Sequence, residues 1–131
     1  MRKLLSIFLL FALLVSIFVA CSKPPFDMDD QHMKYGEKAL EIADQFLDYK
    51  LSLEEATAKL EELEGMAGTL PNLPESDNNR FGNDRVIARV QFLVWSFSHS
   101  KTMLGEFTSK AAAEILEKRN DLAEILGKPA R

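Results

Sequence analysis

Cysteine is all but missing from this chain: one, Cys21, in 131 residues. A single cysteine excludes an internal disulfide and a Cys-rich metal centre. Glycine and proline are scarce, six and five residues, so collagen-like and low-complexity structure are excluded for the bulk of the chain. Histidine occurs only as His32 and His99. No His-x-x-x-His pair exists, so a histidine-based zinc centre has no ligand set. A Gly-x-Ser-x-Gly elbow is absent, and Gly65-Met66-Ala67-Gly68 lacks the Lys-Ser/Thr that completes a phosphate-cradling loop. Sixteen basic against twenty acidic residues give a net charge of −4. That balance has no cationic surplus to hold nucleic acid.

What is there begins at the N-terminus. Arg2 and Lys3 precede a run from Leu4 to Ala20 interrupted only by Ser6 and Ser16. A positive start, an apolar middle and a small-residue end describe an export signal. Phe18-Val19-Ala20-Cys21 resembles the lipobox of bacterial lipoprotein signal peptides, whose common form is Leu-Ala-Gly/Ala-Cys. The resemblance covers about the first 22 positions. It implies cleavage between Ala20 and Cys21 and a diacylglycerol, then acyl chains, on Cys21. It implies no other cofactor. The mature chain would carry a net charge of −6, so lipid rather than a charge patch is expected to hold it to an anionic membrane. A second reading stays open. The uncharged run Leu4–Ser22 is 19 residues, long enough to span a bilayer as an uncleaved anchor. Either way the domain is expected outside the cytoplasm, at the cell membrane or outer membrane.

Three segments follow: a signal peptide over 1–20, a lipidated cysteine and flexible Pro24-Pro25 tether over 21–29, and a domain over 30–131. The domain reads as all-α, a small bundle of about four helices. Tyr35, Ala39, Ile42, Phe46 and Tyr49 predict a first helix over about 30–50, capped by Asp29 or Asp30. Ser52 and Glu55 have capping-box spacing and open a second helix over about 53–66, stopped by Gly65 and Gly68. Residues 68–83 are the longest irregular stretch. A third helix is expected after Asn83 or Asp84, with a strand as the competing reading because Val, Ile, Phe and Trp dominate there. Val86, Ile87, Val90, Leu93, Val94 and Phe97 form its apolar side, with Arg85, Arg89 and Ser96 opposite. A bend is expected near Ser98–Lys101. A fourth helix is expected over about 109–126, ended by Gly127 and Pro129.

Few residues suggest chemistry. Ser98-His99-Ser100 puts histidine beside serines, but helical neighbours point about 100° apart. His32 lies near Asp27, Asp29 and Asp30, which reads as an acidic helix start rather than a metal site. Calcium loops starting at Asp27 or Asp77 fail: the first has His32 and Lys38 where Gly and Glu are needed, the second Phe81 and Ala88 at ligand positions. Glu54, Glu55, Glu61, Glu62 and Glu64 read as a solvated face. Arg119, inside an apolar stripe, is expected to lay its stem on the core and to reach water or an acid such as Asp44 or Asp48, with a ligand-binding arginine as the alternative.

No catalytic residue and no metal ligand are assigned. Phe81, Phe92, Trp95 and Phe107 do not all fit the core stripe. The first three, with the loop Pro71–Asn83, are the candidate partner-binding surface. The expected function is therefore a non-catalytic, lipid-anchored envelope protein that binds a protein partner at the membrane. The alternatives are a carrier or sensor of a small apolar or lipid-like ligand, an envelope enzyme acting on cell-wall sugars or peptides, and a protective exclusion or immunity lipoprotein of a mobile element.

Overall fold

The computed structural model describes residues 23–104 and 109–131. The expected signal segment, with Ala20 and Cys21, and Phe107 lie outside the described residues. Among the described residues four helices form: α1 Asp30–Leu47, α2 Leu53–Gly65, α3 Arg80–Leu104 and α4 Ser109–Ile125. A single 3-10 turn, Ala67–Thr69, follows α2. The described residues contain no strand. The expected small all-α bundle is what the chain forms.

Local chemistry starts and stops the helices. Asp29 caps α1, its Oδ1 accepting from His32 N at 2.8 Å. Ser52 Oγ accepts from Glu55 N at 3.1 Å, and Glu55 Oε2 accepts from Ser52 N at 2.8 Å, completing the expected capping box. Helix α4 ends in a Schellman motif. Gly127 takes φ +68°, Gly127 N donates to Glu124 O and Lys128 N donates to Ala123 O.

Helix α1 ends in the same motif without a glycine, and this shortens it. Tyr49 takes φ +60°, Tyr49 N donates to Phe46 O and Lys50 N donates to Gln45 O. The helix therefore stops at Leu47 rather than near residue 50. Tyr49, expected on the buried stripe, is 96% exposed.

Helix α3 touches all three other helices, as does α1, with α2 and α4 flanking them. It begins at Arg80, earlier than expected. Asp77 Oδ1 accepts from Asn79 N and Asp77 O accepts from Arg80 N. This Asx turn supplies the start that Asn83 and Asp84 were expected to give. The helix runs on through Ser98–Lys101. The hydroxyls of Ser96 and Ser100 donate to Leu93 O and Ser96 O, each at 2.7 Å. Both serines are thereby satisfied inside the helix and buried. Ser96, expected on the polar side, belongs to the core. Around α3 the fully buried side chains include Leu60, Val90, Leu93, Phe97, Ile115 and Leu122. Truncating any one of these to alanine is expected to cost about 2–5 kcal/mol.

The segment expected as a flexible tether lies on the bundle from Lys23 onward. Phe26 and Met28 pack against the core. A Cβ on Gly82 would fall 2.0 Å from Asp27 O, and one on Gly127 would fall 2.7 Å from Lys23 C. Two of the six glycines thus let residues 23–28 run against α3 and the end of α4. No helix of the described residues is long and apolar enough to cross a membrane.

Candidate functional site

The earlier start of α3 brings Phe81 onto the helix with Phe92 and Trp95. Phe81, Arg85, Ala88, Phe92, Trp95 and His99 follow alternating steps of four and three residues, so they share one face. Phe81, Phe92 and Trp95 are 54%, 51% and 54% exposed. The row is partly organised by its own contacts. Phe26 meets Phe81 edge to face at 5.2 Å. The Arg85 guanidinium sits 4.7 Å from the Phe81 ring and 5.5 Å from that of Phe26. Trp95 stacks on His99 at 4.9 Å. The helix carries Arg80, Arg85, Arg89 and Lys101 against one acid, Asp84. It is a cationic element in a chain of net charge −4.

The rest of the candidate partner surface behaves differently. Residues 80–83 of the loop Pro71–Asn83 are helical, and Asn83 is buried. Asn83 clasps the start of α1: its Oδ1 accepts from Asp29 N at 3.0 Å, and its Nδ2 donates to Asp29 Oδ2 at 2.8 Å. Asp29 also receives the His32 ring, with Nδ1 2.9 Å from both carboxylate oxygens. Burial pulls the Asp29 carboxyl upward. The hydrogen bonds from His32 and Asn83 outweigh it and hold the group below the usual carboxylate range. An ionised Asp29 therefore receives Nδ1–H of His32.

His32 is 2% exposed and lines a cavity of about 260 Å³ beneath residues 67–73. Arg80, Asp84, Leu70, Leu73 and Ile87 complete much of its wall. An Asp-oriented histidine is half of a general-base arrangement. Among the described residues, no hydroxyl is bonded to its Nε2. Sequence reasoning missed this constellation. The Asp29/His32 spacing of three was legible, but Asn83 and Arg80 join only through the packing of α3 on α1.

A second polar cluster ties the C-terminus down. Arg119, 4% exposed, donates through Nε and Nη2 to Asp44 Oδ1 and Oδ2 at 2.8 and 3.0 Å, and through Nη1 to Pro129 O at 2.7 Å. Arg131 adds Asp44 and Asp48. Burial raises the Asp44 carboxyl, but the two arginines override it and hold it low. The expected Arg119–Asp44 contact forms, and it leaves no guanidinium edge for a ligand.

The remaining groups have structural partners or solvent. Glu55 is spent on its capping box and Glu61 accepts from Ser98 Oγ at 3.0 Å. Glu54, Glu55, Glu61 and Glu62 are exposed. No group of three His, Cys, Asp or Glu side chains among the described residues is arranged to hold a metal ion. Compared with protein-family models, with curated proteins and with solved structures, the chain finds no match.

Proposed function

We propose that this chain is an exported, non-catalytic binding module of the cell envelope, held at a membrane by acyl chains on Cys21. It docks a helix of an envelope protein on the exposed face of α3. The observation that carries this reading is the row Phe81, Phe92 and Trp95, three large aromatics half open to solvent on the helix that also gives Val86, Val90, Leu93, Val94 and Phe97 to the core. Alternating steps of four and three residues are the spacing of a two-helix seam. The arginines beside the row favour an acidic partner helix. The anchor is supported by the sequence Phe18-Val19-Ala20-Cys21 and by the place of the only cysteine after the apolar run. Lipid attachment confines both partners to one surface and raises their effective concentration.

The test pairs two experiments in intact cells. Cys21→Ala is expected to abolish labelling by palmitate and to leave residues 1–20 attached. A photo-crosslinking residue at position 92 is expected to give one discrete protein adduct, absent when the same residue stands at position 124 on α4. Undiminished palmitate labelling of the Cys21→Ala chain removes the anchor. Equal adducts from both positions remove the α3 face.

A further inference from the structure

The cavity beneath residues 67–73 lies apart from the α3 face and is built from different side chains. Its wall holds a nearly buried imidazole with one nitrogen unspent. His32 Nδ1 is committed to Asp29, while Nε2 has no partner among the described residues. That nitrogen differs from the Tyr35 hydroxyl, which is sealed in the core with no partner among the described residues. His32 Nε2 is reachable, and the cavity that His32 lines is the route to it.

Two opposite charges stand on the same wall. Arg80 forms ion pairs with Asp84 at 3.8 Å and with Glu75 at 3.9 Å, both too long to be hydrogen bonds, so its guanidinium N–H groups have no hydrogen-bond acceptor among the described residues. Asp84 is mostly exposed and accepts no hydrogen bond from another side chain among the described residues. Leu70, Leu73 and Ile87 supply apolar surface between them. Asn83 also lines the cavity, but both ends of its amide are spent on Asp29.

We propose that this cavity binds a small zwitterion with an apolar side chain, a free α-amino acid of about leucine size. The carboxylate pairs with Arg80, with His32 Nε2 as a further hydrogen-bonding contact. The ammonium pairs with Asp84, and the side chain lies on Leu70, Leu73 and Ile87. Arg80 and Asp84 pair with each other at 3.8 Å, so a simple carboxylate that draws Arg80 away leaves Asp84 without its partner, and a simple amine on Asp84 leaves Arg80 with Glu75 alone. The volume sets the size: about 260 Å³ holds roughly nine water-sized groups. That matches an occupant of about leucine size better than a whole lipid or oligosaccharide.

The full chain, purified in detergent micelles, is titrated with L-leucine by calorimetry while the His32 imidazole nitrogens are followed by NMR. Saturable binding that moves the Nε2 resonance is expected. Arg80→Gln and Asp84→Asn, both at surface positions, are each expected to weaken it roughly tenfold or more, the loss of one charge-assisted contact. Helix content by circular dichroism should be unchanged in both. Isovalerate and isoamylamine, which each lack one charge, are expected to bind at least about tenfold more weakly than leucine. The proposal is overturned if leucine leaves the Nε2 resonance in place at millimolar concentration, or if either variant binds as the parent does. Isovalerate binding as tightly as leucine would overturn the zwitterion in favour of a plain carboxylate site.

Discussion

Arg119 and Asp44 face each other across the α1–α4 interface as a bidentate pair, Nε to Oδ1 at 2.8 Å and Nη2 to Oδ2 at 3.0 Å. The arginine is 4% exposed, so its charge depends on that partner. Asp44→Ala leaves a buried guanidinium with only Asn120 Oδ1 and Pro129 O. It is expected to cost about 3 kcal/mol in urea unfolding. Replacing both residues, Asp44→Leu with Arg119→Met, is expected to recover most of that loss, because no uncompensated charge remains. A double variant as unstable as Asp44→Ala would mean that the pair acts through something other than charge.

Acid should unfold the domain in a predictable sense. Asp29 and Asp44 are both held below the ordinary carboxylate range. A carboxyl depressed in the folded state stabilises fully above its unfolded value and loses that contribution as pH falls through the folded value. The melting temperature is therefore expected to change little from pH 7 to about 5 and to fall below about 4. Asp29→Asn with Asp44→Asn is expected to start from a lower melting temperature and to show a shallower fall. Melting curves across that range check both points, and parallel slopes for parent and variant would contradict the assignment.

The N-terminal strap rests on a glycine that tolerates no side chain. Gly82→Ala drives a Cβ into Asp27 O, a backbone atom that has no rotamer to escape into. The expected result is release of residues 23–28. The Asp29 amide, now bonded to Asn83 Oδ1 at 3.0 Å, should then exchange hydrogen faster. Gly65→Ala is the matched control, since nothing lies within 4 Å of its Cβ position. It is expected to stabilise α2 by about 0.5 kcal/mol. Equal exchange of Asp29 N–H in both variants would show that the strap does not depend on Gly82.

Tyr49 takes the left-handed position of the turn after α1 with φ +60°, and its ring is 96% exposed. The strain is repaid by almost no packing. Tyr49→Gly is expected to stabilise the domain by about 1 kcal/mol in urea unfolding. Tyr49→Ala, which keeps a Cβ, should stay within about 0.5 kcal/mol of the parent. A stabilised alanine variant would place the effect in the ring and not in the backbone.

How much of this was legible from the sequence depends on how far apart the interacting groups lie. The capping box of Ser52 and Glu55 spans three residues, and the Gly127 stop is equally local. The helical stripes repeat within a turn. All were readable without a structure. Where local signals competed, the geometry chose. Asp77 opened α3 ahead of Asn83, and Tyr49 took a position glycine usually fills. Buried Ser96 and Ser100 hid their polarity in their own helix.

The sequence by itself determined a helical domain, the caps that bound its helices, and the export-like segment ending at Cys21, because each follows from groups within a few residues of one another. Only the tertiary structure decided that Asn83 clasps Asp29 across 54 positions and that Arg119 reaches Asp44 across 75. It alone laid residues 23–28 on two glycines and left Phe92 and Trp95 uncovered. Those outcomes depend on which faces meet once the helices pack, and no local spacing records that choice.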